Sequence, residues 1–185
     1  MPQAALDTRA DFVTRAEFDR FVVLFDRLAQ ATDQWIARTP KDKLDWIPVD
    51  NPNVRFGDRV SLVTIRSLYI HVAVEEYHRM RFLRDCDDGA TVPIPKDPVL
   101  TARLANGDLV REAARLHEES MTNLRSFADV QLQKTIRFSD RTWTMIELLW
   151  AMYAHRAYHL GNIDIYLRQS DTPAPNFFSS IPAAT

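Results

Sequence analysis

The chain has 185 residues, 46% of them hydrophobic and 26% charged, with a formal net charge of −2. That length is enough for one domain with a substantial core, and a pI of about 6.2 excludes the basic stripe of a nucleic-acid binder. A single cysteine, Cys86, excludes an internal disulfide and fits a reducing compartment.

Residues 1–10 read as a loose lead-in with no apolar leader, and the longest apolar run is Leu148 to Ala154. That is far short of the ~20 residues that span a bilayer, so a cytoplasmic protein with no membrane partner is expected. From Asp11 the pattern turns helical. Phe12, Ala16, Phe18 or Asp19, Val22, Phe25, Leu28, Ala29, Thr32 and Ile36 recur at steps of three and four. Pro40 should end this helix near Thr39, because proline disfavours helical geometry in the residue before it. Residues 40–58 form a long connection whose Trp46, Ile47, Val54 and Phe56 suit packing onto the helices.

A second helix is predicted from Arg59 to Asp85. Leu62, Ile65, Tyr69, Val72 and Glu76 mark one stripe; Leu68, His71, Glu75, His78 and Phe82 mark the next. Gly89 and three prolines break the chain across residues 86–100. A third helix is predicted over 107–127, with Leu109, Ala113, Leu116, Ser120 and Leu124 inward and Asp108 at the positive end of its dipole. Residues 128–143, with Val130, Leu132, Ile136 and Phe138, read as extended or turn-like. A fourth helix opens at the capping-box pattern Thr144-Met145-Ile146-Glu147 and runs to Gln169; the tail, 170–185, should be irregular. The result is an all-α four-helix bundle, one domain over 1–185 with its core at 11–169. The link of roughly 20 residues between helices two and three is long for antiparallel neighbours and points to a crossover.

Chemistry concentrates on the fourth helix. The stripe Leu148, Met152, His155, His159, Asn162, Tyr166 is apolar at its ends and polar in its middle. Residues four apart lie on one helix face, so His155 and His159 could share a metal ion. His71 stands among apolar neighbours near the middle of helix two, and pairing the helices at mid-height brings it towards them. Three imidazoles with an open position make an exchangeable or catalytic site, for zinc first and for nickel, iron or manganese as well. Such an ion can activate a water or polarise a substrate thiol or carbonyl. Core histidines satisfied by the backbone fit the same residues, and the sequence alone leaves both readings open.

Glu75 lies one turn from His71 and could orient its ring, or be a solvated charge. Glu75-x-x-His78 is the unit that di-iron bundles use twice, but helix four carries no second copy. His78 and His117 read as ordinary, with His117 solvated; Cys86 reads as a bystander. Trp35, Trp46, Tyr69, Met152 and Tyr158 are candidates for a substrate pocket.

These residues resemble the DinB/YfiT-like family. The resemblance rests on Leu68-Tyr69-Ile70-His71-Val72-Ala73 and on His155-x-x-x-His159-x-Gly161-Asn162-Ile163 followed by Tyr166-Leu167-Arg168. It covers roughly residues 11–169. It implies an up-down-down-up bundle and a metal held by His71, His155 and His159. Asn162 departs from the glutamine usual in the family. The family includes thiol-dependent transferases and isomerases and metal-dependent hydrolases, so the resemblance implies a small-molecule substrate, a thiol cofactor in some members, and a homodimer. The rival expectations are a non-catalytic, stress-associated metal-binding bundle and a metal-free dimeric interaction module.

Overall fold

The helix-period stretches fold as four long helices in a computed structural model that describes residues 15–47 and 63–180. In chain order the elements are α1 (Arg15–Arg38), α2 (Lys41–Leu44), α3 (Ile65–Asp85), β1 (Ala90–Thr91), α4 (Pro98–Asn106), α5 (Leu109–Arg125), α6 (Asp129–Leu132), β2 (Thr135–Phe138), β3 (Arg141–Thr144), α7 (Met145–Gln169) and α8 (Phe177–Ser180). The bundle helices are α1, α3, α5 and α7. Phe12, Val54, Phe56 and Leu62 lie outside the described residues.

Local chemistry sets the boundaries. Thr144 and Glu147 close the expected capping box, each side chain accepting a hydrogen bond from the other residue's backbone N–H. Asp108 caps α5 by accepting from the Arg111 N–H. Helix α3 begins at Ile65 rather than near Arg59, because Thr64 is extended and forms a second capping box with Ser67. Serine in place of glutamate or glutamine hides that box from the usual pattern. On α1 the buried line runs Phe18, Phe21, Phe25, Leu28, Thr32, Trp35. Ala16 falls off that helical stripe and is exposed, which corrects its expected inward position.

Two core clusters reveal the topology. One joins Phe18, Phe21 and Phe25 of α1 to Met80 and Leu83 of α3, Met121 and Leu124 of α5, and Met145 to Met152 of α7. The other joins Trp35 and Ile36 to Ile65 and Leu68, Leu109 and Leu116, and Leu160 to Leu167. The first end therefore holds the start of α1 and α7 but the finish of α3 and α5, which gives up-down-down-up. Helices α1 and α3 are each flanked by α5 and α7. Each of the largest buried side chains contributes about 1.5–3 kcal/mol by leaving water.

Because α3 and α5 are parallel neighbours, the chain must travel back along the bundle between them. The crossover holds a helix the prolines concealed: α4, with Pro98 in its first turn and Asp97 accepting from the Leu100 N–H at 2.8 Å. The stretch 128–143, expected to be extended or turn-like, holds the short helix α6 as well as a β2–β3 hairpin, to which β1 adds in parallel. Ser139 and Asp140 make its two-residue turn with φ of 50° and 59°, a geometry usually signalled by Asn-Gly. No helix among the described residues is long and apolar enough to cross a membrane.

The most deeply buried ion pair among the described residues joins α7 to α3. Arg156 of α7 and Glu76 of α3 are 3% and 4% exposed at their side chains. Arg156 Nε donates to Oε1 and Oε2 of Glu76 at 2.9 and 3.1 Å, and its Nη2 donates to Oε2 as well. Beside them the Tyr69 hydroxyl donates to Asp33 at 2.7 Å, joining α3 to α1. Burial pushes the Asp33 carboxyl up, and burial with the neighbouring Asp33 charge pushes the Tyr69 phenol up. Glu76→Ala should cost about 3–5 kcal/mol, since it strands the Arg156 charge; Glu76→Leu with Arg156→Met should cost much less. Urea unfolding of the single and double variants measures the difference.

Candidate metal centre

The phase of α7 is fixed at its first turn by the Thr144 box, and three turns later it presents His155 and His159 on one side. α3 packs along that side and brings His71 to them. His155 Nε2 lies 3.3 Å from His71 Nε2 and 3.0 Å from His159 Nε2. One ring nitrogen from each of the three falls within 4.8 Å of the other two. The rings stand nearly edge to face, at interplanar angles of 70°, 77° and 88°.

The electrostatics keep two of these rings neutral. Burial lowers His155 to about 3, helped by positive charge at His159, His71, Arg79 and Arg156. Burial, then His71, lowers His159 to about 4. A neutral imidazole has one N–H and one lone pair. His71 Nδ1 faces Glu75 Oε1 at 3.7 Å, and its Nε2 faces His155. Nε2 of a neutral His155 ring carries either one N–H or one lone pair, so it makes one well-formed hydrogen bond at most and leaves the second close N···N contact poorly satisfied. His159 Nδ1 is buried without a hydrogen-bond partner. A shared cation would take one lone pair from each ring, and by this donor set the residues fit a divalent metal.

The surroundings are ordered in layers. Behind the histidines, towards the core, is the Arg156–Glu76 pair. Beside them Glu75 also pairs with Arg79, whose guanidinium stacks over the Phe138 ring at 4.6 Å and so reaches the small sheet. On the solvent side the His71 side chain is 30% exposed, and it borders a cleft of ≈ 730 Å³ between α3 and α4.

Other candidates are placed elsewhere. Glu75 and His78 do not act together: His78 Nε2 contacts Asp97 Oδ2 at 3.1 Å and ties α3 to the start of α4. His117 is not solvated as expected; its side chain is 9% exposed and pairs with Asp26 at 2.9 Å against the Phe25 ring. The helical spacing of His117 from Ala113 and Ser120 carried that signal. Trp35, Tyr69 and Met152 are core residues. Trp46 packs edge-on against Tyr166, and Tyr158 is exposed beside His159. Asn162 is half-buried, Gly161 is exposed, and Cys86 is buried with its thiol pushed up by burial. The sequence reading missed Arg156, whose long charged side chain stands next to His155 yet points into the core.

The sequence profile of the DinB superfamily matches residues 24–163. The chain belongs to the DinB superfamily. Two solved DinB-like structures from Bacillus subtilis share the fold. YfiT, described as a probable metal-dependent hydrolase with an unusual four-helix bundle topology, is 14% identical, covers 94% of each chain and gives a TM-score of 0.63. YjoA, a DinB-like protein, is 18% identical, covers 85% of this chain and 96% of its own, and also gives 0.63. A search of curated proteins returns no match.

The lowered histidines make the metal-free DinB bundle acid-sensitive. The unfolded chain takes up protons near the ordinary 6.5, while His155 and His159 in the fold wait until about 3 and 4. The unfolded state thus binds more protons in that window, and stability falls as pH drops below about 6.5. Melting of chelator-treated protein from pH 7.5 to 5 should show this fall, and His155→Ala with His159→Ala should flatten it.

Proposed function

We propose that this chain is a metal-dependent enzyme in which His71, His155 and His159 hold one divalent ion. The observation that carries the reading is the convergence of three half-buried imidazole nitrogens on one point, two of them on rings kept neutral at physiological pH. Three protein ligands leave a coordination position for a substrate. A bound divalent ion supplies Lewis acidity, which polarises a carbonyl or activates a water or thiol. The chain's own residues prepare the place. Glu75 fixes the His71 ring, Arg79 holds Glu75, and the Arg156–Glu76 pair locks α7 against α3.

Hydrolysis is the leading reaction class, supported by the description of YfiT as a probable metal-dependent hydrolase. Transfer of a low-molecular-weight thiol is the second, from the family resemblance. Zinc or nickel is the first choice of ion, then iron or manganese. A small-molecule substrate, a homodimer and a cytoplasmic setting complete the reading. A structural site closed by Glu75 as fourth ligand lacks support, because Glu75 turns to the far nitrogen of His71 and to Arg79.

Elemental analysis of untagged protein purified without added metal should give one ion per chain. His155→Ala should lose it on dialysis, and stoichiometric retention would overturn the assignment. Glu75→Ala should keep the three ligands but weaken metal affinity about 10–100-fold, read by competition with a chelating dye. Screens of ester and amide hydrolysis and of thiol transfer, with His155→Ala as control, then assign the reaction.

A further inference from the structure

The ≈ 730 Å³ cleft that borders His71 has its own charge logic. Its walls are mainly apolar, from Ile70 and Val74 of α3, Pro95 and Pro98 of the crossover, and Ala105 of α4. Four of its residues carry formal charges: Arg66, Glu75, Lys96 and Asp97. Three are engaged. Arg66 makes two hydrogen bonds to Asp45, at 2.7 and 3.0 Å. Glu75 is taken by Arg79 and His71. Asp97 contacts His78 and caps α4.

Lys96 differs from these three. It makes no ion pair within 4 Å among the described residues, and it lines both this cleft and the adjoining ≈ 600 Å³ one further along α3. The adjoining cleft adds Arg81, also without an ion pair among the described residues, and the exposed apolar side chain of Ile94. Apolar walls whose carboxylates are already held by hydrogen bonds or ion pairs and whose lysine is not will favour a ligand with an apolar body and a negative charge.

We propose that the α3–α4 cleft bordered by His71 binds the substrate, and that the substrate is an organic anion with an apolar body whose charge is met by Lys96. The proposal rests on the metal-enzyme reading for the word substrate. The binding site itself needs no metal, so the two can fail separately. Lys96 is then a specificity residue: it selects the charge of what enters, and the walls select its bulk.

The test uses the full chain and two fluorescent probes of similar shape, the anion 8-anilino-1-naphthalenesulfonate and the uncharged N-phenyl-1-naphthylamine. Each is titrated into metal-loaded and chelator-treated protein. The anion should bind at one site in both forms. Lys96→Glu should weaken it about tenfold or more and change the uncharged probe by no more than about twofold. Thr101→Trp, at an exposed position on the cleft wall, should abolish binding of both probes, with Ala105→Trp as a second way of filling the space. Melting curves close to the parent's establish that the variants are folded. Absence of anion binding, an affinity unchanged by Lys96→Glu, or binding that survives both tryptophans overturns the proposal. Loss of metal from His155→Ala with the probe still bound supports both readings. A metal retained by His155→Ala beside a Lys96-dependent probe sinks the metal assignment and leaves the anion site standing.

Discussion

The centre of this bundle depends on a buried salt bridge. Arg156 is the residue after His155, and Glu76 is the residue after Glu75. Two nearly inaccessible charges meet across α3 and α7, and neither helix can slide or rotate without separating them in a medium of low dielectric. Burial works against the guanidinium charge, but the adjacent Glu76 carboxylate outweighs it and holds the group more firmly protonated. A pair of this kind adds little net stability compared with apolar side chains, yet it strongly penalises other registers. The register it selects brings His71 level with His155 and His159. Apolar packing alone would tolerate a shift of one residue more readily than this contact does.

Much of the architecture is legible in the sequence because the signals are local. The Thr144 box, the 3.6-residue stripes and the Asp108 cap belong to single segments, and the structure reproduces them. The crossover is legible from length alone. The three histidines are legible as a candidate site because two share a helix face and the third interrupts an apolar stripe, a pattern that core histidines satisfied by the backbone also fit. Their convergence still had to come from the fold.

What escaped was non-local or chemically disguised. Prolines in residues 92–98 read as breakers, whereas Pro98 starts α4, since a first-turn residue needs no N–H donor. The small sheet joins strands from distant segments, and a Ser-Asp turn does not advertise itself. Arg156 and His117 were hidden by residue type: both are polar and both are buried, and only their partners, Glu76 and Asp26, explain why. Glu76 stood on the core stripe of α3 from the start; its counter-charge lay 80 positions away.

The crossover is fastened at three places: β1 on β2, His78 on Asp97, and α4 on α3 and α5. The first of these pairs Ala90 with Ile136 and Thr91 with Arg137, so it draws together two segments far apart in the chain. Closing a loop of that length costs entropy that a strand pair only two residues long must offset. The roof over the α3 clefts is therefore held by separate short contacts, while the α3–α7 seam is held by a buried charge pair. A roof of short contacts and a floor of long packed helices are then two properties of one chain path, imposed by making α3 and α5 run the same way.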